Sequence, residues 1–391
     1  MSQEQINLNP DLRQLKDNGY AVEIRDGYLL IHEIPYLNPS LKVKRGILVS
    51  DLSSIAGNAT NSPVQQHVAY FVGELPHSKA GKPLSGIVNA STDQIIGSVT
   101  VNHTLSSKPI NGYLSYFEKM STYATIISSH AKAVDVSVNE KPHMSIDSTE
   151  SVFKYPDTNS SRANIGDINS KLKGLKIAIL GLGGTGSYIL DMVTKTPVEE
   201  IHLFDGDVFL NHNAFRSPGA PALSNLGNVN SKADYFAEIY LNMRKNIISH
   251  NYKISNQNLG ELLDMDFIFI SIDNNNDKKD IVEFLVEKEI NFIDNGIGLI
   301  VVDDSIIGQV RITACTREKH DHINRRIDLG STTGNNDYST NIQIAELNAL
   351  NAALAVIQWK KMLGFYQHQD QHFNDTFSIN DGKLINDEYL T

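Results

Sequence analysis

Four glycines stand close together near the middle of the sequence, directly after the apolar run 176–180. They are Gly181, Gly183, Gly184 and Gly186. Between a buried strand and a helix, such glycines allow a tight turn, close approach of the backbone to a phosphate, and close packing of helix and strand. The unpaired N–H groups and partial positive charge of the helix N-terminus then favour an anion. The pattern predicts a nucleotide site, and the alternative is a glycine turn that serves packing alone.

An acidic residue, Asp205, ends the next apolar run at 201–204. A carboxylate in this position can bind a ribose hydroxyl of a nucleotide. Up to this residue, an oxidoreductase with a dinucleotide and an enzyme that uses ATP fit the sequence equally well.

The residues after Asp205 separate these two classes. Asp207, Asn213 and Arg216 follow within a short loop, and Lys232 starts the next helix-like segment. A nicotinamide site has no need for an arginine and a lysine at the phosphates. Adenylyl transfer needs them, because negative charge builds on the α-phosphate and the leaving pyrophosphate as a carboxylate attacks. The loop therefore favours an ATP-dependent enzyme.

A further acid, Asp273, comes just after the apolar run 267–272. In open α/β sheets ligands bind at the carboxyl ends of the strands, which is where this side chain is expected. Hard oxygen ligands suit Mg²⁺, which would bridge phosphate oxygens. Asp273 is the predicted magnesium ligand, and a surface salt bridge is the alternative.

Strand-like and helix-like segments alternate around these residues, which predicts an α/β fold with a mostly parallel, Rossmann-like sheet. The continuous apolar runs are typical of strands that are buried on both faces. The predicted strands are 176–180, 201–204, 267–272 and 291–294, and the predicted helices are 187–196, 232–244, 281–288 and 342–363.

The N-terminal part of the chain has a different pattern. Short β-like runs at 28–34 and 68–75 precede a helix-like segment at 112–134, so residues 1–140 are predicted to form a smaller β-rich α+β domain. Residues 141–173 are rich in Ser, Asp and Asn and are predicted to be a linker, which leaves 174–391 as the second domain. The first domain contains no cysteine, so it is not a thiol-bearing conjugating module, and we expect it to recognise a partner.

The composition excludes several other classes of protein. The chain has 391 residues, of which 41% are hydrophobic and 20% charged, and a net charge of −11, which disfavours a non-specific nucleic-acid binder. Its single cysteine excludes an intrachain disulfide and a Cys-rich zinc site. The sequence shows neither a signal peptide nor an apolar run long enough to span a membrane, so we expect a cytoplasmic protein.

The residues at 174–315 together resemble the adenylation domain of the ThiF/MoeB/ubiquitin-activating enzyme superfamily. The resemblance rests on the glycine turn, the acid–asparagine–arginine string from Asp205 to Arg216, Lys232, the Asp273–Asn274 pair, and Gly308–Gln309. The combination is far more specific than the glycines alone. The whole chain thus resembles a bacterial-type ThiF family adenylyltransferase with an extra N-terminal domain.

The resemblance implies roles for individual side chains. Asp205 would hold the ribose of ATP, and Asp273 would bind Mg²⁺. The residues that would contact the phosphates are Asn213, Arg216 and Lys232. Members of the superfamily often complete the site with an arginine that precedes the first strand and reaches across a homodimer. Arg162 is the candidate here, and a solvated linker residue is the alternative; for Asp207, a ligand and a structural turn residue remain equally open.

The role of the single cysteine, Cys315, decides between two reactions that occur within the superfamily. Some members only adenylate a carboxylate, whereas others pass the acyl group to their own cysteine as a thioester. Cys315 ends a strand-like run, and basic residues that could lower the pKa of its thiol follow at 317–322. A cysteine on a strand is also commonly a small core residue, so both roles remain open.

The expected activity is ATP- and Mg²⁺-dependent adenylation of the C-terminal carboxylate of a ubiquitin-like or sulfur-carrier protein. A conjugating enzyme and a second copy of the chain are further expected partners, and DNA is not. One alternative substrate is a small-molecule or tRNA carboxylate. From other classes, the alternatives are a non-catalytic nucleotide-binding scaffold and an NAD-dependent oxidoreductase.

Overall fold

The structure is a computed structural model, and it divides into two compact units, Met1–Ser170 and Lys171–Thr391. Each unit has its own hydrophobic core. The residues that the structure describes are 2–144, 146, 151–163, 165–227, 231–273, 275–329 and 342–390.

The first unit combines short helices with a mainly antiparallel set of strands. Its helices are α1 (Ser2–Leu8), α2 (Pro10–Asp17), α3 (Tyr116–Lys132), α4 (Thr158–Arg162) and α5 (Gly166–Ser170). Its strands are β1 (Ala21–Arg25), β2 (Tyr28–Leu37), β3 (Val43–Asp51), β4 (Ile55–Ala56), β5 (Ala59–Thr60), β6 (Ala69–Val72), β7 (Val88–Ala90), β8 (Gln94–Ile96), β9 (Val99–Val101) and β10 (His103–Leu105).

An antiparallel sheet and helix α3 form the core of this unit. Within the described residues the sheet has the order β1-β2-β3-β6-β10-β7. Helix α3 is capped by Ser115, whose side chain accepts the N–H of Glu118 at 3.0 Å. The helix buries residues such as Met120 and Ile127 in one cluster with Leu29 on the sheet. This arrangement confirms the expected β-rich α+β domain.

The second unit contains the longer strands and helices. Its strands are β11 (Lys176–Leu180), β12 (Glu200–Phe204), β13 (Ile247–His250), β14 (Phe267–Ile270), β15 (Phe292–Val302), β16 (Ser305–Cys315), β17 (His372–Ser378) and β18 (Lys383–Tyr389). Its helices are α6 (Gly184–Val193), α7 (Asn211–Ala214), α8 (Leu223–Gly227), α9 (Lys232–Tyr240), α10 (Asn275–Glu287), α11 (Ile323–Arg326) and α12 (Ala345–Met362), with a 3₁₀ helix at Leu259–Leu262.

The sheet of the second unit has a parallel part and an antiparallel part. Its order among the described residues is β13-β12-β11-β14-β15-β16-β17-β18. The first five strands in this order, β13, β12, β11, β14 and β15, are parallel to one another. The remaining pairs, β15–β16, β16–β17 and β17–β18, are antiparallel. The predicted Rossmann-like α/β fold is therefore confirmed. None of the described helices is long and apolar enough to cross a lipid bilayer.

Helices cover both faces of this sheet. On one face, α6 and α12 bury Leu190 and Trp359 against Phe269 of β14. On the other face, α10 buries Leu285 against Phe292 of β15. Each fully buried side chain of this kind contributes about 1.5–3 kcal/mol, so the two layers fix the sheet firmly.

The parallel strands β11, β12 and β14 all end at one edge of the sheet, which we call the carboxyl edge. Leu180 pairs with Phe204 on one side and with Ile270 on the other, so these three residues lie at the same level. The loops that follow them are brought together there. This is the edge at which open α/β sheets bind ligands.

Candidate functional site

The glycine turn lies at the carboxyl edge between β11 and α6. Gly181 has a φ of +85°, and a Cβ atom there would lie 2.5 Å from the carbonyl oxygen of Ser271. A Cβ atom on Gly186 would lie 1.9 Å from the carbonyl oxygen of Gly181. These two positions accept only glycine, because the turn, β14 and α6 approach one another so closely.

The next two glycines lie at the N-terminus of α6. Gly183 is its N-cap and makes no side-chain capping bond, and the nearest side chain to an added Cβ there is Gln343, at 3.9 Å. Gly184 packs against α12, because a Cβ atom on it would lie 2.0 Å from the side chain of Asn348. The space at Gly183 is therefore the part of the turn that a phosphate can approach.

The side chain of Gln343 binds the N-terminus of α6, where a phosphate would also bind. Its Oε1 atom accepts the N–H of Gly184 at 3.3 Å. N–H groups in the first turn of a helix are those that bind phosphates in glycine-rich turns. A phosphate that binds Gly184 has to displace the amide of Gln343.

Replacing Gln343 with alanine is expected to tighten ATP binding about 2- to 5-fold, because a competing neutral hydrogen bond contributes roughly 0.5–1 kcal/mol. Isothermal titration of ATP measures the change. The matched control is Gln358→Ala, which alters an amide in the interior of α12 whose side chain donates to the carbonyl of His372 at 2.7 Å. Weaker ATP binding by the Gln343 variant would show instead that this amide contacts the nucleotide directly.

Asp205 connects the glycine turn to the loop after β12. Its side chain is buried, with 5% of the residue exposed. One carboxylate oxygen accepts the N–H of Leu182 at 2.7 Å, and the other accepts the N–H of Asp207 at 2.8 Å. Each oxygen retains a lone pair, so the geometry is compatible with the ribose contact expected from the sequence.

Asp207 pairs with two lysines. Its Oδ2 atom lies 2.9 Å from Nζ of Lys232, and its Oδ1 atom lies 3.0 Å from Nζ of Lys253. Hydrogen bonds from both lysines lower the pKa of the Asp207 carboxyl, and the bond from Lys232 has the larger effect. The N–H of Lys232 also donates to the carbonyl of Asp207 at 2.9 Å. The contacts of Asp207 are those of a residue that positions lysines.

Lys232 is the more buried of these lysines, with 8% of its side chain exposed. It begins helix α9, whose N-cap Ser231 accepts the N–H of Asp234 at 3.0 Å. Its Nζ atom also lies 3.8 Å from Asp205. The ammonium group is therefore fixed between two carboxylates at the carboxyl edge.

Helix α7 and the residues directly after it present two donors that have no partner among the described residues. Asn213 is buried and accepts the N–H of Leu210 at 2.9 Å, while its Nδ2 atom makes no hydrogen bond. The buried Nε atom of Arg216 makes none either. Burial lowers the pKa of the Arg216 guanidinium, although the nearby carboxylate of Asp273 opposes this effect. Buried donors without acceptors are costly, and an anionic ligand would satisfy both.

Asp273 lies three residues after the end of β14 and is exposed to solvent. It interacts electrostatically with Arg216 and with Lys253, so it belongs to the same group of charges. Among the described residues, no group of three or more His, Cys, Asp and Glu side chains is placed to hold a metal ion. Mg²⁺ in nucleotide sites is commonly bound by one or two carboxylates together with phosphates and water, and Asp273 fits that mode.

Cys315 does not join this group. It ends β16, which runs antiparallel to β15 and pairs Cys315 with Phe292, the first residue of β15. The cysteine therefore lies at the amino edge of the parallel strands, opposite the carboxyl edge. A pocket of about 190 Å³ at that edge includes Cys315 in its lining, but the residue is only 2% exposed.

The environment of Cys315 also opposes a reactive thiolate. Burial raises the pKa of its thiol to about 12. Two of the basic residues expected to lower this pKa are paired with acids: Arg317 with Glu289 at 3.4 Å, and Lys319 with Asp321 at 2.8 Å. His320 lines the same pocket as Cys315. His322 is fully buried, and one of its ring nitrogens lies 2.9 Å from the carbonyl oxygen of Ala314. Position and electrostatics thus both favour the structural role.

Arg162 belongs to the first unit, at the end of α4. Its side chain lies outside the described part of the structure, as does Asn274. The role expected of Arg162 stays a prediction.

Sequence reasoning missed Lys253 and Gln343. Lys253 follows β13, a short strand at the edge of the sheet whose sequence, Ile-Ile-Ser-His, is only half apolar. Recognising that strand would have placed Lys253 at the carboxyl edge. Gln343 precedes an apolar helix, and no feature of its local sequence indicates that it reaches the glycine turn.

Comparison with known proteins gives matches to both parts of the chain. The model of a domain of unknown function, DUF6791, matches residues 10–158. The model of the ThiF family matches residues 160–386, which is more than half of the chain. A search of curated proteins found no match.

Several solved structures are similar to the chain. A structure of E. coli MccB with succinimide is 18% identical, with 58% of this chain and 67% of that chain covered and a TM-score of 0.44. A structure of E. coli MccB with ATP is 19% identical, with coverage of 60% and 68% and a TM-score of 0.43. A structure of PaaA is 18% identical, with coverage of 76% and 94% and a TM-score of 0.46.

The family match covers the glycine turn, the charged loop after β12, the antiparallel strands β16 and β17, and the first part of β18. The chain therefore belongs to the ThiF family, and this membership supports ATP-dependent adenylation of a carboxylate as its general class of activity.

Proposed function

We propose that the second unit binds ATP at the carboxyl edge and adenylates the C-terminal carboxylate of a ubiquitin-like or sulfur-carrier protein. The observation that carries the ATP site is a pair of buried donors, Asn213 Nδ2 and Arg216 Nε, for which the described part of the chain supplies no hydrogen-bond partner. They lie in the loop that follows β12, and Arg216 interacts with Asp273, which follows β14. A polyanion can accept hydrogen bonds from both donors, and its charge attracts the guanidinium group.

The reaction needs positive charge at the phosphates. An oxygen of the substrate carboxylate attacks the α-phosphorus, the bond to the bridging oxygen breaks, and pyrophosphate leaves with the electron pair. The product is an acyl-adenylate. Arg216, Lys232 and the N-terminus of α6 are the groups that would stabilise the charge on the phosphates, and because the fold fixes them before the reaction, little reorganisation is required.

Mg²⁺ is proposed to bind with the nucleotide, with Asp273 as its protein ligand. When bound, the ion would offset the negative charge of the phosphates. The carboxylate of Asp273 suits a hard cation, and its exposure leaves it accessible to a metal–nucleotide complex.

The first unit is proposed to recognise the carrier protein or another protein partner. It has an independent core built on a six-stranded sheet. The sequence contains one cysteine, Cys315, which lies in the other unit, so a thiol-transfer role for the first unit is excluded.

Exchange of labelled pyrophosphate into ATP tests the proposed function. The full chain is incubated with ATP, Mg²⁺ and a panel of ubiquitin-like and sulfur-carrier proteins that have free C-termini. Exchange is expected with at least one carrier, and both EDTA and amidation of the carrier C-terminus should abolish it. Exchange supported by tRNA or by small carboxylic acids alone would replace the proposed substrate, and no exchange with any carboxylate would contradict adenylation.

Cys315 is expected to be dispensable for this activity. With a pKa of about 12, its thiolate fraction at pH 8 is roughly one in 10⁴, so iodoacetamide should not modify the native protein within minutes. Mass spectrometry of native and urea-unfolded protein measures this difference. Cys315→Ala should retain pyrophosphate exchange. If the wild-type chain forms a reducible adduct with the carrier and Cys315→Ala loses it while exchange stays intact, the thioester role that the structure disfavours would be established.

A further inference from the structure

Lys253 lies at the carboxyl edge and belongs to none of the family motifs that the sequence displays. It follows β13, and the backbone N–H of Asp205 donates to the carbonyl of His250, the last residue of that strand, at 3.2 Å. The loop after β13 therefore adjoins the loop that carries Asp205 and Asp207. A ligand bound over the end of β12 comes within reach of both loops.

The stem of Lys253 runs over the loop after β12. A Cβ atom on Gly206 would lie 3.2 Å from Cγ of Lys253 and 3.4 Å from its backbone nitrogen. At the end of the stem, Nζ lies 3.0 Å from Oδ1 of Asp207, while Lys232 occupies Oδ2 of the same carboxylate. The carboxylate thus holds two ammonium groups on its two oxygens.

The two lysines differ in accessibility. The side chain of Lys253 is 63% exposed, compared with 8% for Lys232. An ammonium group has three donors, and the ion pair with Asp207 uses one of those of Lys253. The remaining donors face an accessible region, so a ligand can reach Lys253 without disturbing the fold.

The charges at this edge balance only when Lys253 is included. Asp205, Asp207 and Asp273 supply three negative charges, and Arg216, Lys232 and Lys253 supply three positive ones. Each member interacts with at least one other. Without Lys253 these side chains would carry a net charge of −1, which would weaken their attraction for the phosphates of a nucleotide. A cation at this position favours binding of the anion because opposite charges attract across a few ångströms of partly buried site.

An ion pair with an exposed lysine contributes little to stability, because solvent screens it. The ion pair between Lys253 and Asp207 therefore adds little to the stability of the fold. Its effect on a bound polyanion is larger, since a hydrogen bond between charged groups is stronger than one between neutral groups.

We propose that Lys253 is a nucleotide-binding residue that contacts the phosphates of ATP alongside Lys232, and that Asp207 positions both lysines. The proposal rests on the proposed function, and it assigns Asp207 a positioning role in place of a direct contact with the nucleotide. It adds a phosphate-binding lysine supplied by the loop after β13.

Isothermal titration of the full chain with ATP and with adenosine tests the proposal. Lys253→Ala should weaken ATP binding about 10-fold and adenosine binding less than 2-fold, because adenosine has no phosphates. Lys253→Arg should retain most of the ATP affinity. The matched control is Lys245→Ala, which removes a lysine that precedes the same strand and lies near its amino end, and it should bind both ligands as the wild-type chain does.

The salt dependence of ATP binding gives a second measurement. Loss of one phosphate contact should make the affinity of Lys253→Ala fall less steeply with ionic strength than that of the wild-type chain. An unchanged ATP affinity in this variant, or equal losses of ATP and adenosine binding, would overturn the proposal. If the wild-type chain binds ATP with this lysine dependence but catalyses no pyrophosphate exchange, the proposed adenylation fails and the role of Lys253 stands. If the wild-type chain does not bind ATP, both fail.

Discussion

Replacing Arg216 with alanine is expected to lower the rate of ATP–pyrophosphate exchange by about 100- to 1,000-fold, the usual effect of removing one donor that stabilises charge in a transition state. The guanidinium follows Asn213 in the loop after β12 and interacts with Asp273. It is the largest charged donor of the proposed phosphate site. Arg216→Lys should restore only part of the rate, because lysine keeps the charge and loses the planar set of donors.

The same substitution should leave the second unit as stable as before, or slightly more stable. Burial lowers the pKa of the Arg216 guanidinium, and its buried Nε atom has no partner among the described residues. The free protein therefore gains little from this side chain. Urea denaturation followed by the fluorescence of Trp359, the only tryptophan in the sequence, measures the stability of this unit. A large loss of stability together with the loss of exchange would indicate a structural role.

Arg244 is expected to show the opposite behaviour. It is fully buried and donates to the carbonyl oxygens of Lys245, Thr196 and Val198 at 3.0, 3.1 and 2.5 Å. Arg244→Ala leaves these buried carbonyls without donors and opens a cavity, so we expect the second unit to lose about 3 kcal/mol of unfolding free energy. Urea denaturation monitored by Trp359 checks this value.

The control for Arg244 is Arg317→Ala, which removes a guanidinium whose side chain is 74% exposed. Its effect should stay within about 0.5 kcal/mol. A similarly small effect of Arg244→Ala would contradict the view that this arginine ties the start of β13 to the segment before β12. Those two strands lead to Lys253 and to Asp205, so their relative placement matters to the proposed site.

The sequence was informative where local pattern determines structure. The apolar run 176–180 and the glycines after it could be recognised because a buried parallel strand and a tight turn both restrict residue type. The spacing of apolar residues predicts helix α3, and a long apolar segment predicts helix α12. These elements place Gly181, Asp205 and Asp273 at one edge, because parallel strands end together.

Long-range antiparallel pairing could not be predicted in the same way. The run 291–294 predicts an extended segment, but β15 continues to Val302 and the chain returns as β16. This reversal explains the position of Cys315: the end of a strand lies at the carboxyl edge only if that strand is parallel to its neighbours. Direction depends on partners that are distant in sequence, so the local pattern around Cys315 carried no information about it.

The burial of charged side chains could not be predicted from the sequence either. Lys119 lies on α3, where spacing predicts only that one face is apolar, yet its Nζ atom is fully buried and donates to Ser50 and to the carbonyl of Gln66, each at 2.8 Å. Lys253 was missed for a related reason, since an edge strand as short and polar as β13 has no strong signal. Charges of this kind are paired by tertiary contacts, which periodicity does not report.

The central claim is that a substrate carboxylate attacks the α-phosphate of ATP. Its most direct test uses a carrier that supports exchange and whose C-terminal carboxylate is labelled with ¹⁸O. After the acyl group is captured by hydroxylamine, the bond between the carbonyl carbon and the bridging oxygen breaks, and that oxygen leaves with AMP. Mass spectrometry should then find one ¹⁸O atom in AMP. Label in inorganic phosphate accompanied by ADP, or AMP without label, would contradict the claim.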